Sequence, residues 1–204
     1  MHPAPAFLET DEARLIAHLA RHPFVTLTAA PDGRPRVAHA PAILRRLEPG
    51  GLALDFHLSR GNSLAPFIAG GFRAVAVSLG PDAYVSPDWY EDKGSVPSWN
   101  YVTAEVEGPV TALDDAGLIA QVDDLTAQEE ARLLPKPPWL RAKMAPGKFE
   151  RLLRSILGGR LTVERFEGTW KLSQNKTDAD REGVIAALGD APIVPLMRAA
   201  IPPR

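Results

Sequence analysis

Two short runs in this 204-residue chain carry the residue types that grip an anion. Ser59-Arg60-Gly61-Asn62 sets a guanidinium and small polar groups at a predicted strand end, just before a predicted helix. Arginine can hold a phosphate through two parallel hydrogen bonds, and backbone N–H groups at a helix start favour negative charge. Lys171-Leu172-Ser173-Gln174-Asn175-Lys176 brings two lysines and three uncharged polar side chains to the end of the last predicted strand. Lysine offers a point charge there, while Ser, Gln and Asn orient the ligand. Each run taken alone also reads as an ordinary polar turn. His39 and His57 fall on strands predicted to be neighbours, with no metal-ligand spacing and no third ligand, so they read as structural or ligand-contacting histidines. G-x-S-x-G, helical H-E-x-x-H and glycine-rich phosphate loops are missing, and without cysteine there is no thiolate chemistry and no disulfide.

The elements that must position these residues follow from hydrophobic period. Thr10-Asp11-Glu12 opens an amphipathic helix that closes before Pro23. Phe24–Ala30, Arg34–Arg46 and Gly51–Leu58 read as three strands joined by Pro31-Asp32-Gly33 and Pro49-Gly50-Gly51, an antiparallel meander. Leu64–Ala69 reads as a short helix and Ala74–Leu79 as a buried strand. The stretch from Gly80 to Gly108 holds all three tyrosines (Tyr84, Tyr90, Tyr101) and two of the four tryptophans (Trp89, Trp99). It reads as a long aromatic loop, of the kind that sits at a site or an interface, with Ser86-Pro87 starting a helical turn and a strand resuming at Val102.

Further on, the pattern predicts a long helix within 111–134 and a second one carrying Phe149, Leu152, Leu153, Ile156 and Leu157, stopped by Gly158-Gly159. Leu161–Leu172 reads as one last strand with a bulge near Glu164, and Thr177 with Asp180 as the cap of a final helix ending at Gly189. The proline-rich tail, 191–204, is not expected to be helical. The sum is one domain over 1–190, mainly β with added helices (about 112–158, and one C-terminal), its strands closing into a small antiparallel barrel.

Hydrophobic content of 45% sorts the chain with globular proteins, and the net charge of −2 argues against a basic nucleic-acid binder. No apolar run is long enough to span a bilayer and no signal-peptide layout is present, so a cytoplasmic protein without a membrane partner is expected.

The runs YVSPDWY, VPSWNY and EGTWKLSQNK, in this order, resemble the PaiB-type FMN-binding negative transcriptional regulators, split-barrel flavoproteins related to pyridoxamine-phosphate oxidase. The resemblance spans roughly Leu8 to Leu188. It implies a homodimeric split β-barrel, FMN at the subunit interface and a role in repression. The family's strand motif is met by Ala38-His39-Ala40-Pro41, its His, Arg and Asn run by His57, Arg60 and Asn62, its Trp-Asn-Tyr by Trp99-Asn100-Tyr101, and its Lys-Leu-Ser-Gln-Asn by Lys171–Asn175. The implied FMN contacts are therefore His39, Pro41, His57, Arg60, Asn62, Trp99, Asn100, Lys171, Ser173, Gln174 and Asn175. Many members carry Pro and a nearby Trp where this chain has Ser63, Leu64 and Ala65.

Three readings stay open. A flavin-binding regulator follows from the resemblance, with DNA a partner that the charge does not support. A flavin-dependent oxidoreductase acting on a small molecule would stack Trp99, Tyr101 or Trp89 near the isoalloxazine. The third takes the aromatic stretch as core and dimer contact alone. The expectation on which the first two depend is that Arg60 and the Lys171–Asn175 run meet one phosphate beside a subunit seam.

Overall fold

The computed structural model describes residues 4–91 and 93–200. Its strands and helices run in the order β1 (Leu8–Glu9), α1 (Glu12–Arg21), β2 (Phe24–Ala29), β3 (Arg36–Arg46), β4 (Leu52–Ser59), β5 (Phe72–Val85), β6 (Ser98–Ala112), α2 (Asp115–Ala131), α3 (Lys148–Leu153), β7 (Ile156–Thr162), β8 (Arg165–Lys171), α4 (Asp178–Leu188) and α5 (Val194–Ala199). Short 3-10 turns cover Ala65–Gly70 and Pro87–Trp89. The strand order is β1-β8-β6-β5-β2-β3-β4-β7, with β6 also pairing β7. The chain divides into two compact units, one of 19–78 and 105–166, the other of the residues up to His18, Leu79–Ala104 and everything from Glu167 on.

The unit of 19–78 and 105–166 is a barrel, because β6-β5-β2-β3-β4-β7 returns to β6 and leaves no edge. Its registers are antiparallel, with Thr26 opposite His39 and Val77, Leu44 opposite Leu54, Phe56 opposite Gly159, and Val110 opposite Leu161. Inward positions alternate along each strand and build a core of Val25, Leu27, Ala40, Leu54, Phe56, Leu58, Val106 and Leu161. Strand β4 departs from simple alternation, since Ala53 and Asp55 on its other face are buried as well. Helix α2 packs against β3, β4 and β7 and supplies that cover. Asp55 is held there by Arg160 (Nε to Oδ1, 2.7 Å) and Arg45 (Nε to Oδ2, 3.3 Å), and Arg45 reaches on to Asp124 of α2.

The other unit pairs β1 with β8, Leu8 opposite Thr169. His18 lies edge-on to Trp170 with ring centroids 5.3 Å apart, and the Arg14 guanidinium stands over the Trp170 ring, 5.9 Å from its centroid. Thr177 accepts from the Asp180 N–H at 3.1 Å and starts α4, as its cap signal requires. A Cβ at Gly183 would come within 2.2 Å of the Trp89 carbonyl oxygen, so only glycine lets α4 approach the 3-10 turn this closely.

Several sequence expectations are corrected. The aromatic stretch is mostly strand: β5 runs on to Val85 and β6 starts at Ser98, so the connection shrinks to 86–97. The second inserted helix ends at Leu153, and Ile156–Thr162 is a strand that carries Gly158 and Gly159 in its middle. Those glycines are no helix stop. A Cβ on Gly159 would meet the Phe56 ring at 2.5 Å, and one on Gly158 would meet Leu113 Cβ at 2.9 Å, so their smallness makes room for Phe56 on one face of β7 and Leu113 on the other. The predicted single last strand is two, β7 and β8, and the parity change near Glu164 is the turn between them. The proline-rich tail holds α5, with Pro195 in its first turn and Ile193, Val194 and Met197 buried. Residues 201–204 lie outside the described residues.

Candidate anion and cofactor site

The unit that contains β8 has a cavity of about 320 Å³ lined by Tyr90, Ser98, Asn100, Lys171, Ser173, Asn175 and Lys176, with Phe7 and Val96 on its apolar side. Strand period makes it. On β8, Trp170 is buried and Lys171 faces the opposite way, and on β6 Ser98 and Asn100 share one face while Trp99 takes the other. Beyond β8 the chain turns sharply. Ser173 has φ 62°, the single non-glycine residue in the left-handed region among those described. A non-glycine residue there is strained, and such strain concentrates at functional positions.

Hydrogen bonds fix that conformation. Asn100 Nδ2 donates to Ser173 Oγ at 2.8 Å, both residues being buried. Leu172 N donates to Gln174 Oε1 at 2.7 Å, and Lys176 N to Ser173 O at 3.0 Å. Gln174 Nε2 donates to the Trp170 and Ala6 carbonyls, so this glutamine braces the turn.

The electrostatics favour an anion. Lys171 Nζ donates to Ser98 Oγ at 2.6 Å, and no carboxylate among the described residues pairs with it. Burial pushes its pKa below the ordinary lysine value. Lys176 Nζ sits 4.3 Å from the Tyr90 ring centroid and donates to Ser95 Oγ at 3.1 Å. Burial, then the charge of Asp180, raises the Tyr90 phenol pKa against the lowering effect of its hydrogen bond with Ser173, so Tyr90 stays a neutral donor.

Of the residues singled out in the sequence, Asn100, Lys171, Ser173, Asn175 and Lys176 therefore come together, and Tyr90 and Ser98 join them. Ser98 and Asn100 could have been paired by their two-residue spacing on a strand, whereas nothing in the sequence ties Tyr90 to Ser173. Trp99 is half exposed in the same unit, its Nε1 donating to Asp82 Oδ1 at 2.7 Å, its ring edge-on to Tyr84 at 5.9 Å.

The expected residues of the barrel unit have other surroundings. His57 Nδ1 is 2.7 Å from Gln121 Oε1 of α2, and Gln121 Nε2 donates to the Pro41 carbonyl at 3.4 Å. Arg60 donates from Nε to the Arg154 carbonyl at 2.7 Å and from its backbone N to Ser155 O at 2.9 Å. Asn62 Oδ1 accepts from Leu64 N at 2.9 Å. Leu64 and Ala65 are core positions. His39 is exposed on β3, stacked on Phe24 at 6.2 Å and 3.1 Å from Thr26 Oγ1. Among the described residues there is no group of three or more metal-ligating side chains.

This donor set fits the anionic end of a nucleotide cofactor: one cation with no acidic partner among the described residues, a second at the rim, and hydroxyl and amide groups between them. A cavity of about 320 Å³ is at the low end of ligand pockets, which hold roughly 300–1,000 Å³.

Comparison with known proteins identifies the family and the fold. The chain is 25% identical over 182 residues to "Protease synthase and sporulation protein PAI 2" of Bacillus subtilis, covering 89% of this chain and 86% of that one. Two solved structures share the fold. The FAD and heme binding protein from Mycobacterium smegmatis has a TM-score of 0.56 at 21% identity, over 91% of this chain and 82% of that one. The flavocytochrome Anf3 from Azotobacter vinelandii has a TM-score of 0.57 at 13% identity, over 83% of this chain and 72% of that one. The fold is thus a split barrel of the flavin-binding type, mainly antiparallel β with added helices. Residues 1–165 match the family model described as "Putative FMN-binding domain" (FMN_bind_2), and the chain belongs to that family, whose cofactor is FMN.

Proposed function

We propose that this chain is a cytoplasmic, homodimeric FMN protein in which the Lys171 cavity takes the phosphate of the cofactor, and that it serves as a negative transcriptional regulator of the PaiB type. The observation that carries the reading is Lys171, a partly buried ammonium that donates to a serine hydroxyl, Ser98 Oγ. Such a cation is stabilised by an incoming anion. Lys171, Ser173 and Asn175 hold the phosphate, Lys176 adds charge at the rim, and Asn100 and Tyr90 fix Ser173. When bound, the flavin supplies the electron chemistry, and the protein supplies position and polarity.

The homodimer is supported by the outer face of β3-β2-β5. Phe24, Thr26 and Thr28 lie opposite Pro41, His39 and Val37, and Thr26 and Thr28 lie opposite Val77 and Val75 on the other side. Phe24 is 66% exposed and Val37 55%, an apolar strip that a second copy would cover. His39 and Pro41 stand in this strip, which suits a cofactor bound beside it. Arg60, His57 and Asn62 act by holding the turn and α2 in place.

A net charge of −2 gives little attraction to DNA phosphates, so repression acts through a partner or through flavin state. A gel shift with promoter DNA at low salt tests this: no shift is expected, and a salt-sensitive shift would show direct binding. The oxidoreductase reading draws support from the half-exposed Trp99 and Tyr84 rings, which offer stacking faces. Anaerobic mixing with NAD(P)H separates the two readings, since bleaching of the flavin absorbance is expected only of the enzyme.

A further inference from the structure

We infer that the segment 132–154, between α2 and β7, is a docking surface for anionic phospholipid headgroups. In these residues stand seven lysines and arginines (Arg132, Lys136, Arg141, Lys143, Lys148, Arg151, Arg154) against one acid, Glu150, in a chain whose net charge is −2. The same segment exposes Leu133, Leu134, Trp139, Leu140 and Leu152, each between 38% and 63%. Large apolar side chains set among cations, all facing solvent, are costly without a partner that offers negative charge and an apolar interior together.

The local ion pairs do not use up the charge. Arg132 pairs with Glu129, Lys136 with Glu130 and Arg141 with Asp123. Among the described residues Lys143, Lys148, Arg151 and Arg154 pair with no carboxylate. Lys143 Nζ donates to the Pro138 carbonyl at 3.1 Å. The segment has no long helix or strand edge for a protein partner to extend, since α3 spans six residues and four prolines (135, 137, 138, 146) break the rest. A duplex would satisfy the cations and leave the leucines wet. A bilayer surface satisfies both, with leucines and Trp139 at the headgroup boundary and cations among the phosphates. The protein needs no spanning helix for this, and no helix of the described residues is long and apolar enough to be one.

The test is sedimentation of the full chain, with FMN added, on vesicles of phosphatidylcholine with phosphatidylglycerol and on phosphatidylcholine alone. Binding is expected on the anionic vesicles, reduced but not abolished by salt, because apolar insertion is not screened. Lys148→Ala/Arg151→Ala should weaken it about 25-fold, from roughly fivefold per charge. Trp139→Ala/Leu140→Ala should leave only binding that salt removes completely. Both variants should keep wild-type FMN content, so failure here does not touch the cofactor reading. The inference is overturned if anionic vesicles are not bound, if neutral vesicles are bound as well, or if either variant binds like the parent. It is overturned equally if Trp139→Ala/Leu140→Ala abolishes self-association, which would make a second copy the occupant, or if a duplex competes the vesicles away through Lys148 and Arg151.

Discussion

Asn100 on β6 donates to the hydroxyl of Ser173 at 2.8 Å, and Ser173 is held in the left-handed region at φ 62°. That bond fastens the turn after β8, and the turn aims Lys171, Asn175 and Lys176 at one cavity. The site therefore depends on a residue that acts through Ser173.

Asn100→Leu should cost stability and affinity together. It removes a buried donor and leaves the Ser173 hydroxyl short of a partner, worth about 1–3 kcal/mol. Urea unfolding should show a lower midpoint with unchanged slope. FMN affinity should fall as well, because the strained turn relaxes.

Lys171 makes two pH predictions. Its pKa is lowered in the folded chain by burial, so between that lowered value and the ordinary 10.5 the unfolded chain binds more protons. Without FMN, this residue's contribution to stability therefore rises with pH through that window, the reverse of a salt-bridged lysine. Phosphate affinity moves the other way, falling as the ammonium loses its proton. Comparison of wild type with Lys171→Met by urea unfolding and FMN titration across alkaline pH should show both slopes in the wild type and neither in the variant.

Asp55→Asn tests the barrel rather than the site. Asp55 is buried and holds Arg160 and Arg45, whose guanidinium groups remain partly solvated. Removing the charge takes the carboxylate from Arg160 and leaves Arg45 with Asp124 alone, a loss of about 3 kcal/mol. Thermal unfolding should occur at lower temperature, while the FMN spectrum of the protein that remains folded should be unchanged.

The outer strip of β3-β2-β5 predicts that Phe24→Asp/Val37→Lys yields a monomer. Sedimentation velocity of parent and variant at equal concentration is the check, a dimer being expected for the parent and a monomer for the variant. A parent that sediments as a monomer would remove the dimer from the account.

The meander and the first helix were legible because local signals agree there: alternation from Phe24 to Leu58, and glycine turns at Gly33 and Gly51, both with positive φ. The cap at Thr177 was legible for the same reason. Strand β7 was not, because Phe149, Leu152, Leu153, Ile156 and Leu157 fall at helical spacing by coincidence, and the close approach of Gly159 to Phe56 is a long-range fact. Likewise, the run 171–176 announced an anion site, but its partners on β6 and at Tyr90 depend on strand pairing and on α4 packing. The surroundings of His57 and Arg60 lie in α2 and after α3, more than 60 residues away in sequence. No local pattern carries such contacts.

The central claim is that Lys171 meets the cofactor's phosphate, and the direct measurement is a pair of fluorescence titrations, FMN and riboflavin, on wild type and Lys171→Met. A single charge-assisted contact is worth about 1.5–3 kcal/mol, so the variant should bind FMN roughly 10- to 100-fold more weakly, with riboflavin affinity unchanged. Equal FMN affinity in the two proteins, or a wild type that binds riboflavin as tightly as FMN, would contradict it.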